Sequence, residues 1–253
     1  MNNTAKWTVL CGMIMLLSVV ALGRLLAGSG AARAAPLLAG DSVTWAHLSS
    51  ADGELPTPAN STQQVLTLIL DIDRDGVNDF VIGSRRAPGE SLVWYRRGPN
   101  GWSRHTIEPT TLQLEAGGAF HDIDGDGDLD IAAGNNNKGK MVWWWENPYP
   151  NYSGDGWTRR IIKDSGSSKH HDMMFGQFDD DPATEFVFWN QGGKKLLMVE
   201  IPANPTMQPW PEADIIHTAP SVQYEGLAQS DVDGDGKIDI IGGGYWFKHT
   251  NGV

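Results

Sequence analysis

DIDGDGDLDIAA, at residues 122–133, is one of three close copies of a short acidic segment in this chain. The other two are DIDRDGVNDFVI at 71–82 and DVDGDGKIDIIG at 231–242, and a degenerate copy, FDDDPATEFVF, lies at 178–188. The last acid of each copy falls at Asp79, Asp130, Glu185 and Asp239, so the copies recur every 51 to 55 residues. A period of this length predicts a repeat architecture.

The segments between the acidic copies predict short strands and almost no helix. In the second repeat they lie near 118–121, 130–133, 141–145 and 159–162, are rich in β-branched and aromatic residues, and are bounded by Gly, Pro, Asn and Asp. Four strands per repeat are typical of a β-propeller blade. We therefore predict an all-β propeller of four-stranded blades, with about four repeats in this chain. A β-solenoid is the alternative, although its coils are usually shorter.

The spacing of the acids predicts sites for a hard cation. Asp at positions 1, 3, 5 and 9 supplies carboxylate oxygens, and Gly at position 6 permits a sharp turn. An EF-hand starts in the same way, but it needs Glu at position 12, where this chain has Ile82, Ala133 or Gly242. Solvated turns without an ion are the alternative, which the repulsion among four carboxylates in nine residues disfavours.

The three intact segments resemble the loops of FG-GAP or VCBS repeat propellers, and the resemblance covers about residues 60–250. It implies that Ca²⁺ lies between the first two strands of each blade. The backbone carbonyls of Val77, Asp128 and Lys237 are implied to complete the sites. The implied side-chain ligands are Asp71, Asp73, Asp75, Asp79, Asp122, Asp124, Asp126, Asp130, Asp231, Asp233, Asp235 and Asp239.

The chain departs from the family pattern in two places. The third loop, near 179–185, is expected to be about two residues short, and Pro182 replaces the Gly of the turn, so we expect a weak or empty site there. Family propellers commonly have more blades than four, so we expect the chain to cover part of a larger propeller. The alternative is a small ring in which residues 42–48 supply the missing outer strand.

The first 35 residues have the pattern of a secretory signal. They contain no Asp or Glu, an apolar run from Trp7 to Leu22, and the small-residue end Ala32-Arg33-Ala34. An uncleaved membrane anchor is the alternative, but the run is shorter than the roughly 20 residues of a spanning helix. Cys11, the one Cys, lies in this segment. We therefore predict a signal peptide at 1–35 and a thiol-free propeller at 36–253 that is secreted, extracellular or periplasmic, with no membrane attachment after signal removal.

The net charge narrows the classes of partner. The chain has 31 acidic and 19 basic residues and a formal charge of −12. Nucleic acids and anionic membranes are bound through clustered Lys and Arg, so neither is expected as the main partner. We expect a glycan or an extracellular protein.

A polar rim is predicted where the innermost strand of each blade begins. Seven residues before the first Asp of each acidic segment lie Gln64, Glu115, Asp172 and Tyr224, with His170, His171 and Glu225 nearby. The aromatic runs at 93–95, 142–145 and 245–247 are expected mainly to pack between blades, with one or two rings, such as Trp144, on a ligand. The predicted ligand-binding residues are Glu115, His171, Asp172, Tyr224 and Trp144.

Three functions fit this pattern. The first is a secreted, calcium-binding recognition or adhesion module for glycans or proteins. The second is a carbohydrate lyase or dehydratase, for which His170, His171 and Tyr224 are of the right types as acid and base. The third is a structural module of a larger extracellular protein. A transition-metal site at the His pair and channel-lining histidines without a further role also remain open, so no catalytic residue is assigned.

Overall fold

The computed structural model describes residues 44–58, 62–86, 88–154, 156–221 and 223–250. The predicted signal peptide at 1–35 lies outside these residues. Every strand described below belongs to one compact unit, Leu48–Val253. Within the described residues, no helix is long and apolar enough to cross a membrane.

The described chain is built almost entirely from strands. The helical element in it is a single 3₁₀ turn, Gln191–Gly193. The strands are β1 (Thr62–Leu70), β2 (Asp79–Arg86), β3 (Leu92–Gly98), β4 (Gly101–Glu108), β5 (Leu114–His121), β6 (Asp130–Asn135), β7 (Val142–Glu146), β8 (Thr158–Lys163), β9 (His170–Gly176), β10 (Glu185–Asn190), β11 (Lys195–Glu200), β12 (Asp214–Thr218), β13 (Leu227–Ser230), β14 (Asp239–Gly242) and β15 (Tyr245–Phe247).

The strands form four antiparallel sheets, one for each copy of the acidic segment. Strands β1 to β4, β5 to β8 and β9 to β12 form four-stranded meanders in chain order, and β13 to β15 form a three-stranded sheet among the described residues. The all-β prediction is therefore confirmed, and so are the four strands of the second repeat, whose observed bounds differ from the predicted ones by at most four residues. Each acidic segment joins the first and second strands of its sheet.

The second strands of the second and third sheets are buried on both faces. All six residues of β6 and of β10 are buried. Such strands have near-continuous small or apolar sequences, as in IAA at 131–133 and FVFW at 186–189, because neighbouring sheets cover them on two sides. The alternation of β7 has the same cause: Trp143 and Trp145 join the core against the first sheet, while Trp144 joins the core against the third.

The first strands of successive sheets are neighbours. Strand β1 contacts β5, β5 contacts β9, and β9 contacts β13. One apolar core lies between each pair of consecutive sheets, centred on Trp94 and Trp145, on Trp144 and Phe186, and on Trp189 and Ile240. The beginnings of the first strands are therefore brought together at one end of the sheets, and the acidic loops lie at the other end.

Candidate functional site: acidic loops and inner rim

The three intact acidic loops share one backbone path. Each turns at the Gly of position 6, where φ is +85° at Gly76, +93° at Gly127 and +87° at Gly236. Residues with a β-carbon adopt this left-handed region at a cost, so the sequence uses Gly. The loop then wraps around the carboxylate of position 1: Asp122 accepts the backbone N–H groups of Gly125 (2.9 Å) and Gly127 (3.1 Å).

The acid at position 9 fastens each loop to its sheet. Asp130 is 1% exposed, and its two oxygens accept the N–H of Ile123 at position 2 (2.9 Å) and of Asn147 after β7 (2.8 Å). Asp239 makes the equivalent pair of bonds with Val232 and His249. Burial raises the pKa of Asp130 to about 8, so a negative charge at this position is costly without a nearby cation.

Three carboxylates converge in each intact loop. One oxygen of each lies within 4.8 Å of an oxygen of the other two, a spacing that one cation could bridge. Of the twelve predicted ligands, Asp75, Asp130 and Asp235 fall outside these sets. The convergent sets are Asp71, Asp73 and Asp79; Asp122, Asp124 and Asp126; and Asp231, Asp233 and Asp239.

The acids of the second loop have no neutralising side chain within the described part of the chain. Among the described residues, no Lys or Arg forms an ion pair with Asp122, Asp124 or Asp126. Burial and the neighbouring acids Asp126 and Asp124 raise the pKa of Asp128 to about 7, and its Oδ1 is buried without a hydrogen-bond partner. This donor set therefore fits a hard divalent cation.

Basic side chains contact the other two intact loops. In the fourth loop, the Lys248 ammonium donates to Asp235 (2.8 Å) and to Asp233. In the first loop, the Arg96 guanidinium pairs with Asp73, whose Oδ1 is buried and has no hydrogen-bond partner. Both loops retain converging carboxylates, but part of their charge is already offset.

The third loop is full-length, which corrects the expectation that it is two residues short. Gly176 pairs with Glu185 across β9 and β10 in the same register as His121 with Asp130. The N–H of Phe178 also donates to Glu185 (2.5 Å), as Ile123 does to Asp130. Gln177 therefore occupies position 1, and Glu185 occupies position 9.

Gln177 binds the third loop from inside. Its Nε2 donates to the backbone carbonyls of Asp181 (2.5 Å) and Ala183 (2.6 Å). Ala183 is at position 7, where the family resemblance implies a carbonyl ligand for Ca²⁺ in the intact loops. A side-chain amide thus satisfies this carbonyl in the third loop. Asp179 and Asp181 converge with Glu200 rather than with a position-1 acid.

The inner rim is centred on His171, on strand β9. Its Nδ1 lies 2.9 Å from an oxygen of Asp172, and its Nε2 lies 3.4 Å from Glu225 and 3.7 Å from Glu115. Glu115 is 3% exposed and forms an ion pair with Arg85. The neighbouring inner strands β5 and β9, the end of β2 and the segment before β13 therefore bring five ionisable side chains into one cluster, which we call the inner rim.

Asp172 is held in an unusual backbone conformation. Its φ is +36°, a region that non-Gly residues rarely adopt, and its carboxylate accepts the N–H of Gly226 (2.7 Å). Burial acts to raise the pKa of Asp172, but the hydrogen bonds from His171 and Gly226 outweigh it and lower the pKa below its usual value. Asp172 is therefore a carboxylate fixed in position.

His170 does not join the inner rim. It is fully buried, and its Nε2 lies 2.9 Å from the amide of Asn190 and 3.1 Å from Lys163 Nζ. Burial, with Lys163 second, lowers the pKa of His170 to about 3, so it is neutral. Because Gln177 is position 1, His170 and not Asp172 lies seven residues before the third loop. The two histidines have different partners and form no common metal site.

Two other predicted ligand residues have packing roles. Tyr224 is half-buried against Trp189 and Tyr245, and its hydroxyl lies 3.5 Å from that of Tyr245. Trp144 is 0% exposed in the core between the second and third sheets. The ligand-stacking role predicted for Trp144 is therefore corrected, because no face of its ring is accessible.

Sequence reasoning missed two residues of the site. Arg85, which neutralises Glu115, lies at the end of β2, and no feature of the motif indicates it. Gln177 could have been found by aligning the copies on their last acid instead of on their first.

The comparison with known families agrees with this geometry. Residues 71–133 match the FG-GAP-like repeat, a stretch that runs from the first acidic loop through the second. The predicted resemblance is therefore confirmed there, and the chain contains a repeat of a kind that is typically extracellular. No curated protein matches the chain.

Proposed function

We propose that this chain is a calcium-stabilised β-propeller module that binds an extracellular glycan or protein at the inner rim. The propeller arrangement is supported by four successive antiparallel sheets whose first strands are neighbours in chain order. The observation that carries the binding role is the cluster of Arg85, Glu115, His171, Asp172 and Glu225 where those strands begin.

The inner rim lowers the stability of the fold, and this supports a binding role for it. Burying Glu115 and partly burying Arg85 removes water from both charges, and their attraction offsets only part of that free-energy cost. The strained backbone of Asp172 adds a further cost. Neither feature is needed to pack the cores, whose residues are apolar. Rigid strands that hold charged groups at one end provide a site for a polar ligand.

Calcium in the three intact loops is the second part of the proposal. The converging carboxylates would hold the ion, and the ion would offset their mutual repulsion and join the first two strands of each sheet. The orphaned oxygens of Asp73 and Asp128 fit this role. An affinity of the order of 10⁻⁴ to 10⁻³ M is sufficient outside the cell.

The binding role is tested with glycan and extracellular-protein arrays. Glu225→Ala should abolish binding of whichever ligand the unmodified protein captures, since Glu225 is an exposed member of the rim. Glu212→Ala is the matched control, because this acid is also exposed and lies outside the rim. Equal binding by both variants would place the ligand elsewhere.

A lyase or dehydratase is the second candidate, and the orientation of His171 favours it. With Nδ1 held by Asp172, Nε2 faces the rim, as a general base requires. Incubation with acidic polysaccharides, followed by ultraviolet detection of unsaturated product, tests this candidate. Product that disappears in His171→Ala but not in His170→Gln would establish the enzyme.

A further inference from the structure

A polar cavity of about 410 Å³ lies between the ends of the first and second sheets. The described part of its lining consists of three basic and four carboxamide side chains and contains no acidic, apolar or aromatic residue. These residues are Gln63, Arg85, Arg86, Gln113, Asn136, Asn137 and Lys138. Such a lining is unusual in a chain with a net charge of −12.

We propose that this cavity binds a sugar carboxylate, that is, a uronate residue of an acidic glycan. The inference rests on the proposed function and names the ligand class that the adjoining rim receives. Arg85 already pairs with Glu115, so Arg86 and Lys138 are the cations for the sugar carboxylate, and the planar fork of an Arg can bind both of its oxygens. Each carboxamide offers two donors and an acceptor, which suits the hydroxyl groups of a sugar ring.

The acidic loops lie far from the cavity, and the rim acid Glu115 is already paired with Arg85 of the cavity lining. Gln63 is near the start of β1, and the first acidic loop follows the other end of this nine-residue strand. At about 3.3 Å per residue, that separation is roughly 25 to 30 Å. It exceeds the Debye length of about 8 Å at physiological ionic strength, so the acidic loops do not repel an anion at this end.

The backbone around the cavity is fixed before any ligand binds. The N–H of Asn136 donates to the carbonyl of Gln113 (2.9 Å), and the side chain of Asn136 accepts the N–H of Lys138 (2.8 Å). Gln63 and Gln113 both have left-handed backbones, with φ of 64° and 57°. A preorganised lining loses little conformational freedom on binding, which favours a small polar ligand.

The composition of the lining also favours a glycan over an acidic protein segment as the ligand. Protein interfaces depend on apolar and aromatic anchors in desolvated pockets, and the described lining offers none. Hydroxyl-rich rings need hydrogen bonds over their whole edge, and the four carboxamides provide them. The observations therefore favour the sugar.

The test is calorimetric titration of the full chain, in saturating Ca²⁺, with oligosaccharides of galacturonate, glucuronate and mannuronate. We expect at least one to bind, and the double variant Arg86→Gln, Lys138→Gln to weaken it by about tenfold or more. Both substituted residues are exposed, so the fold should be kept. Lys140→Gln is the matched control, since Lys140 is exposed on the same connection but outside the lining, and it should change affinity less than twofold.

Four outcomes would overturn the inference. The first is equal binding of the methyl-esterified sugar, and the second is equal affinity of the double variant. The third is failure of all three acidic sugars while another ligand binds in a Glu225-dependent way, which would leave the proposed function intact. The fourth is tighter binding of a poly-glutamate peptide, which would identify a protein partner. Loss of the proposed function itself would be recognised separately, by the absence of any Glu225-dependent ligand.

Discussion

The second and third acidic loops have the same length and the same attachment to their sheets, but the polar groups inside them differ. Carboxylates converge in the second loop, whereas a side-chain amide binds backbone carbonyls in the third. Asp130 and Glu185 both sit at position 9 and accept an N–H from position 2. In the second loop, Asp122 converges with Asp124 and Asp126, and no Lys or Arg among the described residues forms an ion pair with these acids. In the third loop, Gln177 donates to carbonyls instead. The position-9 acid thus sets the attachment of the loop, and we propose that the residue at position 1 determines whether the loop binds a cation.

Chelation should produce the largest effect. Each Ca²⁺ bound at about 100-fold excess over its dissociation constant stabilises the fold by about 2.7 kcal/mol, and three such sites act together. We expect the midpoint of thermal unfolding to fall by about 10 °C or more when EDTA replaces Ca²⁺. Differential scanning calorimetry measures it, with Mg²⁺ as the control ion. Equal midpoints would rule out structural ions.

Substitution at position 1 should distinguish the two loops. Asp122→Asn should lower the midpoint by about 5 to 10 °C in Ca²⁺ and hardly at all in EDTA, because it removes a ligand charge. Gln177→Ala should lower it by about 5 °C in both conditions, because it removes two hydrogen bonds that need no ion. If the midpoint change caused by Gln177→Ala depended on Ca²⁺ as that of Asp122→Asn does, the proposed difference between the loops would be wrong.

The protonation of Glu185, in the third loop, should make the free energy of unfolding depend on pH. Burial raises the pKa of this acid to about 7 from its ordinary value of 4.5. The stability that protonated Glu185 contributes is therefore fully present below about pH 4.5 and is lost as the pH rises through about 7. Near pH 4.5, Glu185→Gln and the unmodified protein should have the same free energy of unfolding. At pH 8, the free energy of unfolding of Glu185→Gln should be higher by at most about 3 kcal/mol. Urea unfolding in EDTA measures these free energies. If the two proteins differed by the same amount at both pH values, the raised pKa of Glu185 would not be the cause of the difference.

The fourth loop should show the smallest effect. Lys248 lies on two of its carboxylates and must give way before a cation binds there. Lys248→Met should therefore raise the Ca²⁺ affinity of this site by about a few-fold, because an exposed ion pair competes only weakly with the cation. Titration calorimetry checks the change, and lower affinity in the variant would show that the lysine does not compete.

The sequence was sufficient to predict the strands, because their signals are local. Alternating and continuous apolar runs such as IAA at 131–133 identify half-buried and fully buried strands, and the acidic turns identify where the first two strands of each repeat join. The repeat period also placed Asp79, Asp130, Glu185 and Asp239 correctly as equivalent residues, since they share one backbone register.

The inner rim was only partly predictable, because it depends on contacts between repeats. Glu115 and His171 were identified, but the pairing of Glu115 with Arg85 joins two sheets and leaves no local pattern. Trp144 was assigned to a ligand because alternation shows that neighbours face opposite ways without showing that both faces are covered. The register of the third loop was misjudged because Gln177 lacks the charge that marks position 1.

The count of bound calcium ions tests the central claim most directly. Equilibrium dialysis against radioactive Ca²⁺ should give three ions per chain for the unmodified protein and two for Asp122→Asn. The double change Gln177→Asp, Pro182→Gly should restore both features of an intact loop and raise the count to four. No bound calcium, or four ions in the unmodified protein, would contradict the account.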